Sequence, residues 1–186
     1  MTHEMNFGNP ISVAPLRSTQ IGQAFPLVRE VAPILMFEQW IRIASPLTLE
    51  DKFDRRGILA ATVASGHLYG LCLYRVEPLK SPKPLVAHYL ATFGIGQQAP
   101  VARSLVAAID SLAFRLGCEI IQTSVASSQR SVRACLEAAG HRIRQVEFSK
   151  YIGDAEDNQM PARYTDLSWL EQWHRGDDIS SAAKRG

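Results

Sequence analysis

One stretch of this chain has the spacing of a nucleotide-binding loop. Gly94-Ile-Gly96-Gln-Gln-Ala99 is a GxGxxA run between an apolar, strand-like segment and a helical one. In that arrangement a tight glycine turn brings backbone N–H groups against a dinucleotide's pyrophosphate. The usual context is missing, because the next apolar run ends Gln122-Thr-Ser-Val125 with no acidic residue for a ribose, and Glu119 lies at its other end. Other chemistries are excluded by pattern. There is no GxxxxGK[ST] loop, no HExxH and no GxSxG elbow. The histidines at 3, 67, 88, 141 and 174 have no metal-ligand spacing, so no metal is expected. Cys72, Cys118 and Cys135 are odd in number and far apart, which fits reduced thiols in a cytoplasmic protein.

Charge and length bound the function further. The 186 residues carry 20 basic and 18 acidic side chains, a net of +2. That leaves no basic excess for nucleic-acid binding and favours a small-molecule or protein-directed role. The polar first ten residues lack a signal peptide's basic flank and apolar run, and no stretch is long and apolar enough to span a membrane.

The elements that must position any site follow from periodicity. A short strand is expected at Ile11 to Leu16, a helix from an N-cap at Thr19 to about Val31, and a second helix opened by Pro33 and running through Trp40. Gly57 to Ala64 and His67 to Val76 flank Ser65-Gly66 and read as an antiparallel hairpin. Leu85 to Phe93 reads as a central strand after the loop Ser81 to Pro84. Leu105, Ile109, Leu112 and Leu116 mark a helix from Val101 that stops at Gly117. Ile120 to Val125 is a strand, and Ser127 or Ser128 caps a helix whose inner face is Val132, Cys135, Leu136 and Ala139, ending at Gly140. His141 to Ile152 alternates as a last strand. Residues 1–152 thus form one α/β (α+β) domain, with a mixed, mostly antiparallel sheet flanked by helices. Residues 153–186 form an acidic tail in which Leu167, Trp169, Leu170 and Trp173 make a possible docking helix or dimer contact.

This order of elements resembles the Gcn5-related N-acetyltransferase family over roughly Ile11 to Ile152. Two segments carry the resemblance. Gln97-Gln-Ala-Pro-Val-Ala102 is similar to the family's Q/R-x-x-G-x-G/A acyl-CoA pyrophosphate loop, with Pro100 in place of the middle glycine. Gln129-Arg-Ser-Val-Arg-Ala-Cys-Leu-Glu-Ala-Ala-Gly-His141 is similar to N-x-x-A-x-x-L-Y-x-x-x-G-F, with Gln129 at the asparagine and Leu136 at the tyrosine that usually protonates the departing thiolate.

The resemblance implies a direct acetyl (acyl) transfer from acetyl-CoA, as cosubstrate, to an amine acceptor that the sequence does not specify. It implies pantetheine pairing along the backbone of Ala91, Thr92 and Phe93. The diphosphate would meet Gln97, Gln98, Ala99, Val101 and Ala102, with Arg103 and Gln129 beside it. His88, whose unperturbed pKa of about 6.5 suits proton removal, is the candidate base. The residues read by themselves equally allow a hydrogen-bonded core histidine. Tyr89 and Cys135 are candidate acids, and packing is the competing role for Cys135. Two other functions stay open: a degenerate relative that binds acyl-CoA or a protein without turnover, and a dinucleotide binder through Gly94-x-Gly96-x-x-Ala99.

Overall fold

The computed structural model describes residues 10–48, 55–93, 98–125 and 129–142. The last predicted strand, apart from His141 and Arg142, and the whole tail from 153 lie outside the described residues, as do Gln97, Ser127 and Ser128.

Five strands form one sheet in the order β1 (Ser12–Pro15), β2 (Arg56–Thr62), β3 (Leu68–Val76), β4 (Pro84–Thr92) and β5 (Ile120–Thr123). β1 to β4 pair antiparallel in succession, and β5 runs parallel to β4. A mixed, mostly antiparallel sheet flanked by helices is therefore what this sequence builds. The β2–β3 hairpin turns through Gly66 at φ +82°, a conformation open to glycine without steric cost.

Each face of the sheet carries its own core. On one face lie α1 (Ile21–Val31) and α2 (Phe37–Ala44), where Leu27, Val28, Leu35, Trp40 and Ile43 pack on Ile58, Leu71 and Leu73. On the other lie α3 (Gln98–Arg115) and α4 (Arg130–Ala138), where Val101, Leu105, Ile109, Val132 and Leu136 pack on Leu59, Cys72, Leu85 and Leu90. Leu105, Ile109 and Leu112 form the inner stripe of α3, and Leu116 packs half-buried in the turn that follows Arg115 and closes at Gly117 with φ +62°.

Several local expectations need correction. Thr19 lies in a 3-10 turn (Ser18–Gln20), so the α-helix starts at Ile21. Pro33 sits in a turn and α2 starts four residues later, where the Met36 N–H is satisfied by Gln39 Oε1 at 2.9 Å. On α4, Val132 and Leu136 face the core, while Cys135 is half-buried and Ala139 is exposed.

Gly70 decides how closely α3 can lie on the sheet. A Cβ there would stand 2.7 Å from Val101 Cγ1, 2.8 Å from Leu105 Cδ1 and 3.1 Å from the Ala91 carbonyl oxygen. Gly70→Ala is expected to lower stability by about 1–3 kcal/mol through overpacking, measured as a reduced urea midpoint at unchanged m-value. An unchanged midpoint would show that α3 yields freely at this point.

Candidate functional site

The site is built where β4 and β5 part. They pair from Pro84↔Ile120 to Ala87↔Thr123, and the Ser124 N–H adds one more bond to the Ala87 carbonyl at 3.1 Å. Beyond this β4 continues to Thr92, and among the described residues no strand lies along its outer edge. The Phe93 N–H donates inward to the Tyr69 carbonyl at 2.8 Å. By the two-residue alternation of strand backbone, Thr92 and Leu90 present their N–H and C=O to the side away from β3. Of the three residues expected to pair with an extended ligand, Thr92 alone turns its donor outward.

A bulge shapes the same stretch. Leu73 pairs with His88 and Leu71 with Ala91, so β4 advances three residues while β3 advances two. Tyr89 takes up the extra residue at φ +51°, a backbone region that bulky side chains seldom adopt. Plain alternation puts Leu90 on the His88 face and Tyr89 opposite. The bulge reverses both, so that Leu90 joins the α3 core and Tyr89 packs against the α1–α2 core.

His88 shares the α1–α2 face with its cross-strand partner Leu73 and with Arg75, which pairs with Val86. Its pKa is pulled down to about 4, first by burial and second by the Arg75 guanidinium, with Glu77 partly opposing. Near neutral pH the imidazole is uncharged and can accept a hydrogen bond or relay a proton. Arg75 is held by Glu77, with Nη2 2.8 Å from Oε1, and Glu77 also takes Lys80 at 2.5 Å. Sequence reasoning missed Arg75 and Glu77. Their two-residue spacing from Leu73 along a strand was the available signal.

The start of α3 follows β4 directly in the chain. Gln98, Ala99 and Pro100 are exposed in its first turn, and Arg103 is exposed one turn later. Pro100 removes one N–H from a turn whose donors have no intrahelical partner anyway, leaving those of Gln98 and Ala99. Val101 and Ala102 are fully buried in the core. Their side chains anchor the helix start.

α4 closes the arrangement. Gln129 stands at its N-cap position, yet its Oε1 accepts from both the N–H and the Oγ1 of Thr92, each at 3.1 Å. Ser131 Oγ lies 3.5 Å from Gln98 Oε1, and Cys135 Sγ is 3.6 Å from the Ala99 carbonyl oxygen. Between α3 and α4 runs a cleft of about 530 Å³ lined by Ala99, Arg103, Asp110, Ser131, Cys135 and further alanines. Its far end is tied by His141 Nε2, 3.3 Å from Asp110 Oδ1. Thus Thr92, Gln98, Ala99, Arg103, Gln129 and Cys135 come together around the α3–α4 end of β4. His88 and Tyr89 lie on the opposite face of the same strand.

Among the described residues, no cluster of His, Cys, Asp or Glu could hold a metal ion, and no helix is long and apolar enough to cross a membrane. No known protein-family profile matches the sequence, and no curated protein matches it either. Solved structures do match in shape. An aminoglycoside N-acetyltransferase, AAC(6')-Iy, in complex with CoA superimposes with a TM-score of 0.60 at 12% identity, covering 77% of this chain and 96% of that one. The glucosamine-6-phosphate N-acetyltransferase of Arabidopsis thaliana gives 0.58 at 14% identity, covering 77% and 99%. The aminoglycoside 6'-N-acetyltransferase AAC(6')-Ih of Acinetobacter baumannii gives 0.58 at 15% identity, covering 77% and 100%. At such identities the likeness is one of fold: this chain has the N-acetyltransferase fold.

Proposed function

We propose that the protein transfers an acyl group, in the first instance acetyl, from acyl-CoA to an amine. The observation that carries this is the outer edge of β4 past its divergence from β5, along which no described strand lies. An outward N–H at Thr92 is followed in the chain by a helix N-terminus with donors at Gln98 and Ala99. Such an edge pairs with an extended amide chain as an added strand would, and a helix start with a nearby Arg103 favours phosphate.

In the reaction the amine nitrogen attacks the thioester carbonyl, a C–N bond forms, the C–S bond breaks, and the CoA thiolate leaves and takes up a proton. His88 accepts the ammonium's proton and, with its low basicity, passes it to solvent water, while the thiolate takes its proton from the acid. We give the leaving group's proton to Tyr89, which shares the bulge with His88, ahead of Cys135, whose Sγ is directed at the Ala99 carbonyl. Positioning and edge N–H groups supply most of the acceleration. The free thiols support a reducing, cytoplasmic setting.

Acetyl-CoA is expected to raise the melting temperature progressively with concentration, and free adenine nucleotide to do so weakly. No shift and no heat of binding at millimolar acetyl-CoA would rule the reading out. One observation favours a second reading, binding without turnover: Leu136, in the position of the family's acid, is buried in the core. Release of free thiol with a panel of amines decides between them.

A further inference from the structure

Thr92 is 2% exposed, and a buried donor with no acceptor is costly. Its acceptor here is the side chain of Gln129, 37 residues along the chain. Gln129 occupies the N-cap position of α4 but makes no side-chain capping bond to its own helix. Instead one amide oxygen serves both the N–H and the hydroxyl of Thr92, each at 3.1 Å. An added strand would bring a carbonyl oxygen to that same edge N–H. A single N–H proton has one good acceptor at a time, so Gln129 and such a ligand compete for it.

We propose that Gln129 is a built-in stand-in for the ligand's carbonyl, and that an extended acyl-CoA binds β4 by displacing it. This rests on the acyl-CoA reading above. The glutamine amide sits on a flexible side chain with several rotatable bonds, so it leaves the edge without movement of α4. While in place it keeps Thr92 satisfied and blocks pairing of the edge with other strands. Its cost is affinity: the ligand binds only the fraction of molecules in which Thr92 is released.

The test is calorimetric titration of acetyl-CoA into the parent protein, Gln129→Ala and Gln129→Asn, with amide exchange at Thr92 followed by NMR. Removing the competitor is expected to tighten binding about tenfold, the equivalent of one net hydrogen bond. The shorter asparagine gives an intermediate gain and replaces the alanine variant should that one not fold. The Thr92 amide is expected to exchange slowly in the free parent, quickly in free Gln129→Ala, and slowly in both once acetyl-CoA is bound. Equal or weaker binding by both variants would overturn the proposal, since Gln129 would then be a spectator or a direct ligand contact. Binding by the variants but not by the parent upholds it in its strongest form. If no form binds, the acyl-CoA reading falls and takes this proposal with it. A Thr92 amide that exchanges equally fast in the free parent and free variant overturns the competition by itself, whatever binds.

Discussion

Trp40→Ala is expected to lower the unfolding free energy by about 3–5 kcal/mol, the largest stability effect of any single side chain considered. Trp40 is fully buried, and its Nε1–H donates to the Ile21 carbonyl at 2.7 Å, tying α2 to the first turn of α1. The ring lies among Val28, Ala32, Leu35, Ile43, Leu73 and Tyr89, so truncation opens a cavity directly beneath the bulge. Trp40→Phe separates the contributions: it keeps most of the volume and loses the hydrogen bond, with an expected cost of about 1–2 kcal/mol. Urea denaturation of both variants measures the difference. Equal losses would mean that the hydrogen bond, and not packing, carries the indole's contribution.

The second large effect is on pH dependence. Unfolded, His88 takes up a proton near its ordinary pKa of about 6.5, whereas in the folded protein it does so only near 4. Between these values the unfolded chain binds more protons, so stability is complete above pH 6.5 and falls as the pH drops toward 4. From pH 8 to pH 4.5 the loss from this one group is about 2.5 kcal/mol. His88→Gln cannot titrate and is expected to lose correspondingly less over the same interval. Parallel stability curves for parent and variant would show that His88 is not held neutral. In the transferase assay the same substitution is expected to reduce kcat/KM by about 100-fold if the imidazole relays the proton. A normal rate would pass that role to water.

Much of the fold was legible because periodicity is direct wherever one face is buried. The α3 stripe, the hairpin around Gly66 and the helix stop at Gly117 follow from residue spacing alone. The bulge was not legible. Ala87-His-Tyr-Leu-Ala91 contains no glycine or proline to mark a break in alternation, so nothing local shows that Tyr89 adopts a positive φ. Tertiary packing of Tyr89 against the α1–α2 core holds it there. α2 starts after Met36 and not at Pro33 because Gln39, three residues after Met36, satisfies the Met36 N–H, a signal weaker in sequence than a proline. At the site, Thr92 and Gln129 were both named as cofactor contacts, but their bond to each other depends on how α4 sits on β4, which neither segment's sequence encodes. On α4 the buried pair is Val132 and Leu136, and Cys135, which helical phase puts on the inner face, packs half-buried beside them.

Gly70 has a consequence beyond packing. Its missing side chain lets the first turns of α3 and the carbonyl of Ala91 meet at one point, so the helix start and the β4 edge are held at a fixed separation. A ligand that touches both must match that separation. In the acyl-CoA reading proposed above, that separation would act as a ruler for the linker between the ligand's anionic end and its carbonyl.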